Sequence, residues 1–251
     1  MDGDNWHAPP TDLTLLSGEL QVWRIPLNQP DTVVERLKKT LETNEIERAG
    51  MFYFDRDKKR YLIACGAKRE ILAGYLKCTP GEIRFTFGKY GKPQLKTEIN
   101  QPEFSFNLAH SNEWALLAVT RQDVVGIDIE FTGRNLSELD QLIGIFSNYE
   151  RETLRSLSGK FRLKGFYNCW TRKEAYVKAI GMGLSYPLQD FDVTCRPGAE
   201  AKLLRVRGQP QVAEHWELIE LDLGCEFYVA AVAAELPRKK LTLYNWCIQA
   251  I

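Results

Sequence analysis

Asp128 and Glu130 are two acids one residue apart at the end of a β-branched run, Asp123-Val-Val-Gly-Ile-Asp-Ile-Glu130. Alternate side chains of a strand share a face, so the two carboxylates point the same way, ~7 Å apart along the backbone, with Ile127 and Ile129 in a core behind them. Carboxylate oxygens converging at a strand end suit a hard divalent cation such as Mg2+, which keeps waters and phosphate oxygens in its other positions. Further along, Tyr167 to Gly183 reads as a helix with Phe166, Trp170, Val177 and Ile180 on a buried stripe and glycine at its end. Glu174 and Lys178, four apart, share a face of it. Glu174 can complete the carboxylate set while Lys178 meets a phosphate. The same residues also suit plainer roles, a strand ending in solvated acids and a surface ion pair worth about a few tenths of a kcal/mol.

Four ordered segments bear on that choice. Gly126-Ile-Asp-Ile-Glu130, then Trp170-Thr-Arg-Lys-Glu-Ala-Tyr-Val-Lys178 and Gly181-Met-Gly-Leu184, resemble the signature of Sfp-type 4′-phosphopantetheinyl transferases. Tyr90-Gly-Lys-Pro-Gln-Leu95 resembles that family's Gly-Lys-Pro loop, and Phe106-Asn-Leu-Ala-His-Ser111 its Phe-Asn-x-Ser-His-Ser segment. The resemblance covers Arg48 to Leu188. It implies an α+β fold of two similar α/β halves related by pseudo-two-fold symmetry, with the site between them. It implies that phosphopantetheine passes from coenzyme A to a serine of an acyl or peptidyl carrier protein, leaving 3′,5′-ADP. Asp128, Glu130 and Glu174 are implied to hold Mg2+ against the CoA diphosphate, Lys178 to neutralise that diphosphate, and His110 to contact a CoA phosphate. Lys92 and Pro93 are implied to frame the adenine and ribose, and Arg48 and Arg60 to lie around the 3′-phosphate. The sequence departs from the pattern at Ala109, where the family has serine; a hydroxyl contact to phosphate is then lost unless Ser111 or a backbone N–H substitutes.

Phosphoryl transfer asks a protein mainly for positioning and charge stabilisation, which a metal site and an adjacent lysine supply. Glu174, or a water it orients, is the expected base for the carrier serine. A catalytically silent CoA-binding module and a Mg2+-dependent CoA diphosphate hydrolase use the same residues and remain open. The three intact carboxylates weigh against the first, and nothing like the Glu-rich helical signature of diphosphate hydrolases is present.

These residues need elements to hold them. Glu19 to Pro26 alternates as a half-buried strand, Thr32 to Arg48 has helical spacing, and a second helix runs from Asp57 to Lys77 until Thr79-Pro80-Gly81 stops it. Strands follow at Phe104 to Leu108 and Trp114 to Val119. The order of helix, Gly-rich loop and strands then recurs, with a helix from Phe161 to Ile180 and strands at 191–194, 215–221 and 227–233. The expected division is a loose tail over 1–12, an N-terminal half over 13–122 and a C-terminal half over 123–251. Arg56, Lys58, Lys59, Arg60, Lys68 and Arg69 form a basic face, solvated or meeting an acidic partner or the 3′-phosphate. Residues 135–166 carry more apolar side chains than a connector needs, divided between core and a docking patch for a carrier helix.

Of the 251 residues, 44% are hydrophobic, and thirty-three basic residues balance thirty-three acidic ones. That balance argues against wrapping nucleic acid through bulk charge. No stretch approaches the ~20 apolar residues of a membrane span, and Met1 to Pro10 lacks a signal-peptide pattern, so a cytoplasmic protein is expected. Six scattered cysteines without a Cys-x-x-Cys pair read as reduced thiols. Two fused halves can form the cleft within one chain, so a monomer is expected.

Overall fold

The computed structural model describes residues 5–96, 104–121, 123–133, 139–236 and 240–247. Residues 1–4 of the expected tail, Gln122 at the expected boundary and 135–138 of the expected docking segment lie outside them.

The first half opens with β1 (Glu19–Pro26), followed by α1 (Asp31–Lys38), α2 (Thr43–Gly50) and the long α3 (Asp55–Leu76). A short hairpin of β2 (Phe85–Phe87) and β3 (Pro93–Leu95) then leads to β4 (Phe104–Ser111) and β5 (Trp114–Arg121). The second half begins with β6 (Val125–Phe131), α4 (Leu139–Ile143), α5 (Asn148–Arg155) and the long α6 (Gly159–Ile180). It continues through β7 (Phe191–Val193), β8 (Leu203–Val206), β9 (Trp216–Glu220) and β10 (Tyr228–Glu235) to β11 (Lys240–Asn245).

Two sheets lie face to face between the two long helices. One has the order β11-β1-β5-β4 and the other β6-β10-β9. Strand alternation builds the layers: Trp23 and Ile25 of β1 face α3 in one core, while Leu20 and Val22 face the second sheet. Opposite them, Ile127, Ile129, Ala230 and Val232 fill the space between sheets, and Ala231 and Ala233 turn outward to pack on α6. The arrangement is helix, sheet, sheet, helix, an α+β fold whose halves repeat one motif. Among the described residues no helix is long and apolar enough to cross a membrane.

Four expectations change. Residues 32–48 make two helices rather than one, because the Thr40 hydroxyl donates to the Leu37 carbonyl as α1 ends and a Glu42/Glu45 capping box starts α2. The tail is anchored from Trp6, which is buried and donates its indole N–H to the Asp222 carbonyl at 2.7 Å. The C-terminal half does not keep its last strand, since β11 crosses back to pair in parallel with β1. Lys68 and Arg69 are not a solvated face: they are buried and clasp Glu45 at 3.1 and 2.7 Å, where an unpaired charge would be costly. The six cysteines are unpaired, three buried, Cys78 half-buried, and Cys225 and Cys247 exposed.

Candidate active site

Gly126 sets the geometry of the cleft. A Cβ there would lie 2.1 Å from the Ala175 carbonyl oxygen and 2.3 Å from the Ala179 nitrogen, so only glycine lets α6 rest directly on β6. Strand alternation carries Asp128 and Glu130 on the same face as Gly126, and helical spacing carries Glu174 and Lys178 along the facing side of α6. α6 stops at Gly181, whose φ of +70° forms a left-handed cap.

Lys178 Nζ meets Asp128 Oδ1 at 2.5 Å. Asp128 is buried, and its second oxygen, Oδ2, has no hydrogen-bond partner among the described residues; neither has the buried Oε1 of Glu174. Desolvation outweighs the lysine and pushes the Asp128 carboxyl up to about 7, with the charges of Glu130 and Glu174 acting in the same direction. Burial likewise raises Glu174, against Lys178 and together with Glu130. The three acids therefore share one electrostatic site. As placed, among the described residues no three His, Cys, Asp or Glu side chains stand close enough to hold a metal ion. Like charges repel, and Lys178 takes up one Asp128 oxygen. Two orphaned, desolvated carboxylate oxygens in an all-oxygen donor set nevertheless fit a hard cation.

Basic side chains surround His110. His110 is held below its ordinary value by the desolvating protein around its ring, although solvent reaches its edge, and by the positive charges of Lys178, Arg48 and Arg60. Arg60 reaches the turn between β4 and β5, donating to Asn112 Oδ1 at 3.0 Å, while its buried Nε has no partner among the described residues. Arg48 lies over the Tyr61 ring at 6.0 Å.

Two predicted ligand contacts are engaged elsewhere. The Lys92 ammonium donates to the carbonyls of Val125 and Ala179 at 2.9 and 2.8 Å, tying the β2–β3 hairpin to the negative end of α6; burial brings it down to about 8. Pro93 begins β3 opposite Phe87. Ser111 is buried and turned to β6, where it meets Glu130 rather than open space. Ile143, Phe146 and Leu154 belong to the core, whereas Ile145 is exposed. With Trp170, Val177, Tyr186 and Leu188, Ile145 walls a cavity of about 390 Å³ that opens on Glu174. A second cavity, about 940 Å³, lies near Phe161, Tyr167 and Phe227 and holds none of the predicted site residues.

Sequence reading passed over the fully buried Glu150–Lys173 pair, 2.8 Å apart. The Ser147-x-x-Glu150 pattern, a capping box that starts α5, was the available signal. It also passed over Asn107, whose side chain caps a backbone N–H of β6.

Two family models match the chain in succession: residues 29–122 match "4'-phosphopantetheinyl transferase, N-terminal", and residues 124–233 match the "4'-phosphopantetheinyl transferase superfamily". The 4'-phosphopantetheinyl transferase HetI of Nostoc sp. is 40% identical over 231 residues, 91% of this chain and 92% of that protein. The 4'-phosphopantetheinyl transferase Sfp of Bacillus subtilis is 31% identical over 168 residues, 67% of this chain and 71% of that protein. A solved holo-(acyl-carrier-protein) synthase from Bacillus anthracis, in complex with CoA (3',5'-ADP), aligns with 45% of this chain and 94% of its own at 23% identity. Its TM-score is 0.36. The two successive family models fit the two repeated α+β halves, and both named relatives are group-transfer enzymes. The chain belongs to the 4′-phosphopantetheinyl transferase superfamily.

Proposed function

We propose that this chain transfers the 4′-phosphopantetheine arm of coenzyme A to a serine of an apo acyl or peptidyl carrier protein, with Mg2+ as cofactor. Family membership supports the reaction class. The observation that carries the site is the pair of buried, unpartnered oxygens on Asp128 and Glu174 beside Lys178.

Asp128, Glu130 and Glu174 are the residues that would hold Mg2+, which when bound supplies charge neutralisation to the CoA diphosphate. Lys178 adds a cation on the same groups, and its exchange from Asp128 to phosphate keeps its charge paired throughout. Arg48, Arg60 and His110 line the wall suited to the 3′-phosphate and its neighbours. Lys92 acts on the substrate indirectly, by fixing the end of α6 that carries Lys178. Glu174, raised by burial, is a fitting acceptor for the carrier serine's proton. The serine oxygen then forms a bond to the phosphorus attached to pantetheine as the bond to the 3′,5′-ADP oxygen breaks. The apolar cavity beside Glu174 is the surface by which the carrier would approach. A monomer belongs to the same reading, because both walls of the cleft come from one chain, and a cytoplasmic setting is proposed alongside it.

The test is incubation with CoA and Mg2+, with and without a panel of apo carriers, read by mass spectrometry. A carrier that gains phosphopantetheine on serine is the expected result. Release of 3′,5′-ADP without any carrier would replace the transferase with a hydrolase, and tight CoA binding without turnover would replace it with a binding module.

A further inference from the structure

β4 and β6 are the facing edges of two different sheets, and the two strands run side by side without a backbone ladder between them. The N–H groups of β6 still need acceptors in this buried place. Two β4 side chains supply them at two positions: Asn107 Oδ1 accepts from the Ile127 N–H at 2.8 Å, and Ser111 Oγ accepts from the Phe131 N–H at 3.0 Å. The pegs are four residues apart on β4 and meet N–H groups four apart on β6, so they set the register between the halves.

The pegs differ in what remains to them. An asparagine carbonyl has no hydrogen to pass on, whereas a hydroxyl that accepts one bond still donates its own. The Ser111 hydroxyl faces Glu130 Oε2 at 3.2 Å, and among the described residues no other side chain is hydrogen-bonded to that carboxylate. Ser111 is 6% exposed, so water does not readily replace it.

We infer that Ser111 is a positioning residue, whose single hydroxyl locks the orientation of Glu130 to the seam between the halves and so presets one of the three acids toward the cation. The inference rests on the cation role proposed for Glu130, and it gives the hydroxyl a task apart from contact with CoA phosphate. Asn107 is the internal control, since it holds the same seam and, among the described residues, makes no hydrogen bond to an acid of the site.

The experiment compares wild type, Ser111→Ala, Ser111→Thr and Asn107→Ala by Mg2+ dependence of transfer, by Mn2+ binding followed by electron paramagnetic resonance, and by Tm. Loss of a hydrogen bond that orients a metal ligand weakens affinity by about tenfold or more. Ser111→Ala is expected to raise the Mg2+ requirement and the Mn2+ dissociation constant together by about that factor, with Ser111→Thr restoring both to within about twofold. Asn107→Ala is expected to lower Tm and leave both ion constants alone. Unchanged ion constants in Ser111→Ala would overturn the inference, as would an equal shift in Asn107→Ala, which would make any loosening of the seam sufficient. Should wild type modify no carrier, the transferase reading fails, and Mn2+ binding alone decides the inference: a weakened Ser111→Ala sustains it, and a wild type that binds no Mn2+ overturns it.

Discussion

Lys173 and Lys178 lie on one helix, and each pairs with a buried carboxylate, yet the two pairs are finished differently. The Lys173 ammonium has three hydrogens and three acceptors, Glu150 and the carbonyls of Leu188 and Phe191. Glu150 takes that lysine and the Val193 N–H on one oxygen and the Ser147 N–H on the other. Around Lys178 the bonding is incomplete, with one Asp128 oxygen and one Glu174 oxygen left over among the described residues. A buried ion pair whose every donor and acceptor is met holds the fold together. One that leaves desolvated oxygens waiting stores affinity for something else.

The comparison breaks most easily at its lysines. Lys173→Met leaves Glu150 fully buried without its cation and the Leu188 and Phe191 carbonyls without their donor, so urea unfolding should show a loss of about 3–5 kcal/mol. Lys178→Met should cost less than about 1.5 kcal/mol, because Asp128, already raised to about 7, can take up a proton instead. Its turnover should nevertheless fall by about 100-fold or more. Similar stability losses in both variants would erase the distinction between scaffold and site.

Gly126→Ala tests the contact that brings the two acid-bearing elements together. Forcing a methyl against the Ala175 carbonyl should cost about 1–3 kcal/mol. Displacing α6 should also reduce turnover by about tenfold or more, since misplacement of catalytic groups is expensive. Full activity in a destabilised variant would show that the close approach serves packing alone.

A smaller effect sharpens the same contrast through pH. Asp128 titrates near 3.8 when unfolded and near 7 when folded. Between those values the native state holds the extra proton, so this group's contribution to stability is full below 3.8 and is lost as pH rises through 7. In EDTA, Asp128→Asn should therefore melt about 3 °C or more above wild type at pH 8, with the gap closing toward pH 5, while its transfer activity is lost. A variant that melts lower at pH 8 would mean that the Lys178 pairing outweighs desolvation.

Local pattern made much of this legible. Alternation gave β1 its full extent, and helical spacing with a closing glycine placed α6 and, on it, Glu174 and Lys178. The shared face of Asp128 and Glu130 followed from the strand period, and the family resemblance gave those residues their partners. Other features depended on chain segments far away. β11 finds its place against β1, near the opposite end of the sequence, and no local feature of Lys240–Asn245 names that partner. Lys92 reads as a frame for adenine and ribose until the end of α6, 87 positions later, presents a carbonyl to it. Ser111 reads as a phosphate contact until β6 presents both an N–H and a carboxylate. Side chains with one obvious local use were the ones whose actual partners came from across the seam.

In the proposed mechanism Asp128, Glu130 and Glu174 act as one cation centre. The direct measurement is Mn2+ titration by electron paramagnetic resonance in the presence of CoA, for wild type, Asp128→Asn and Glu174→Gln, with circular dichroism confirming that each is folded. One ion bound by wild type and lost in both variants is the predicted result. Equal binding by all three proteins would contradict it.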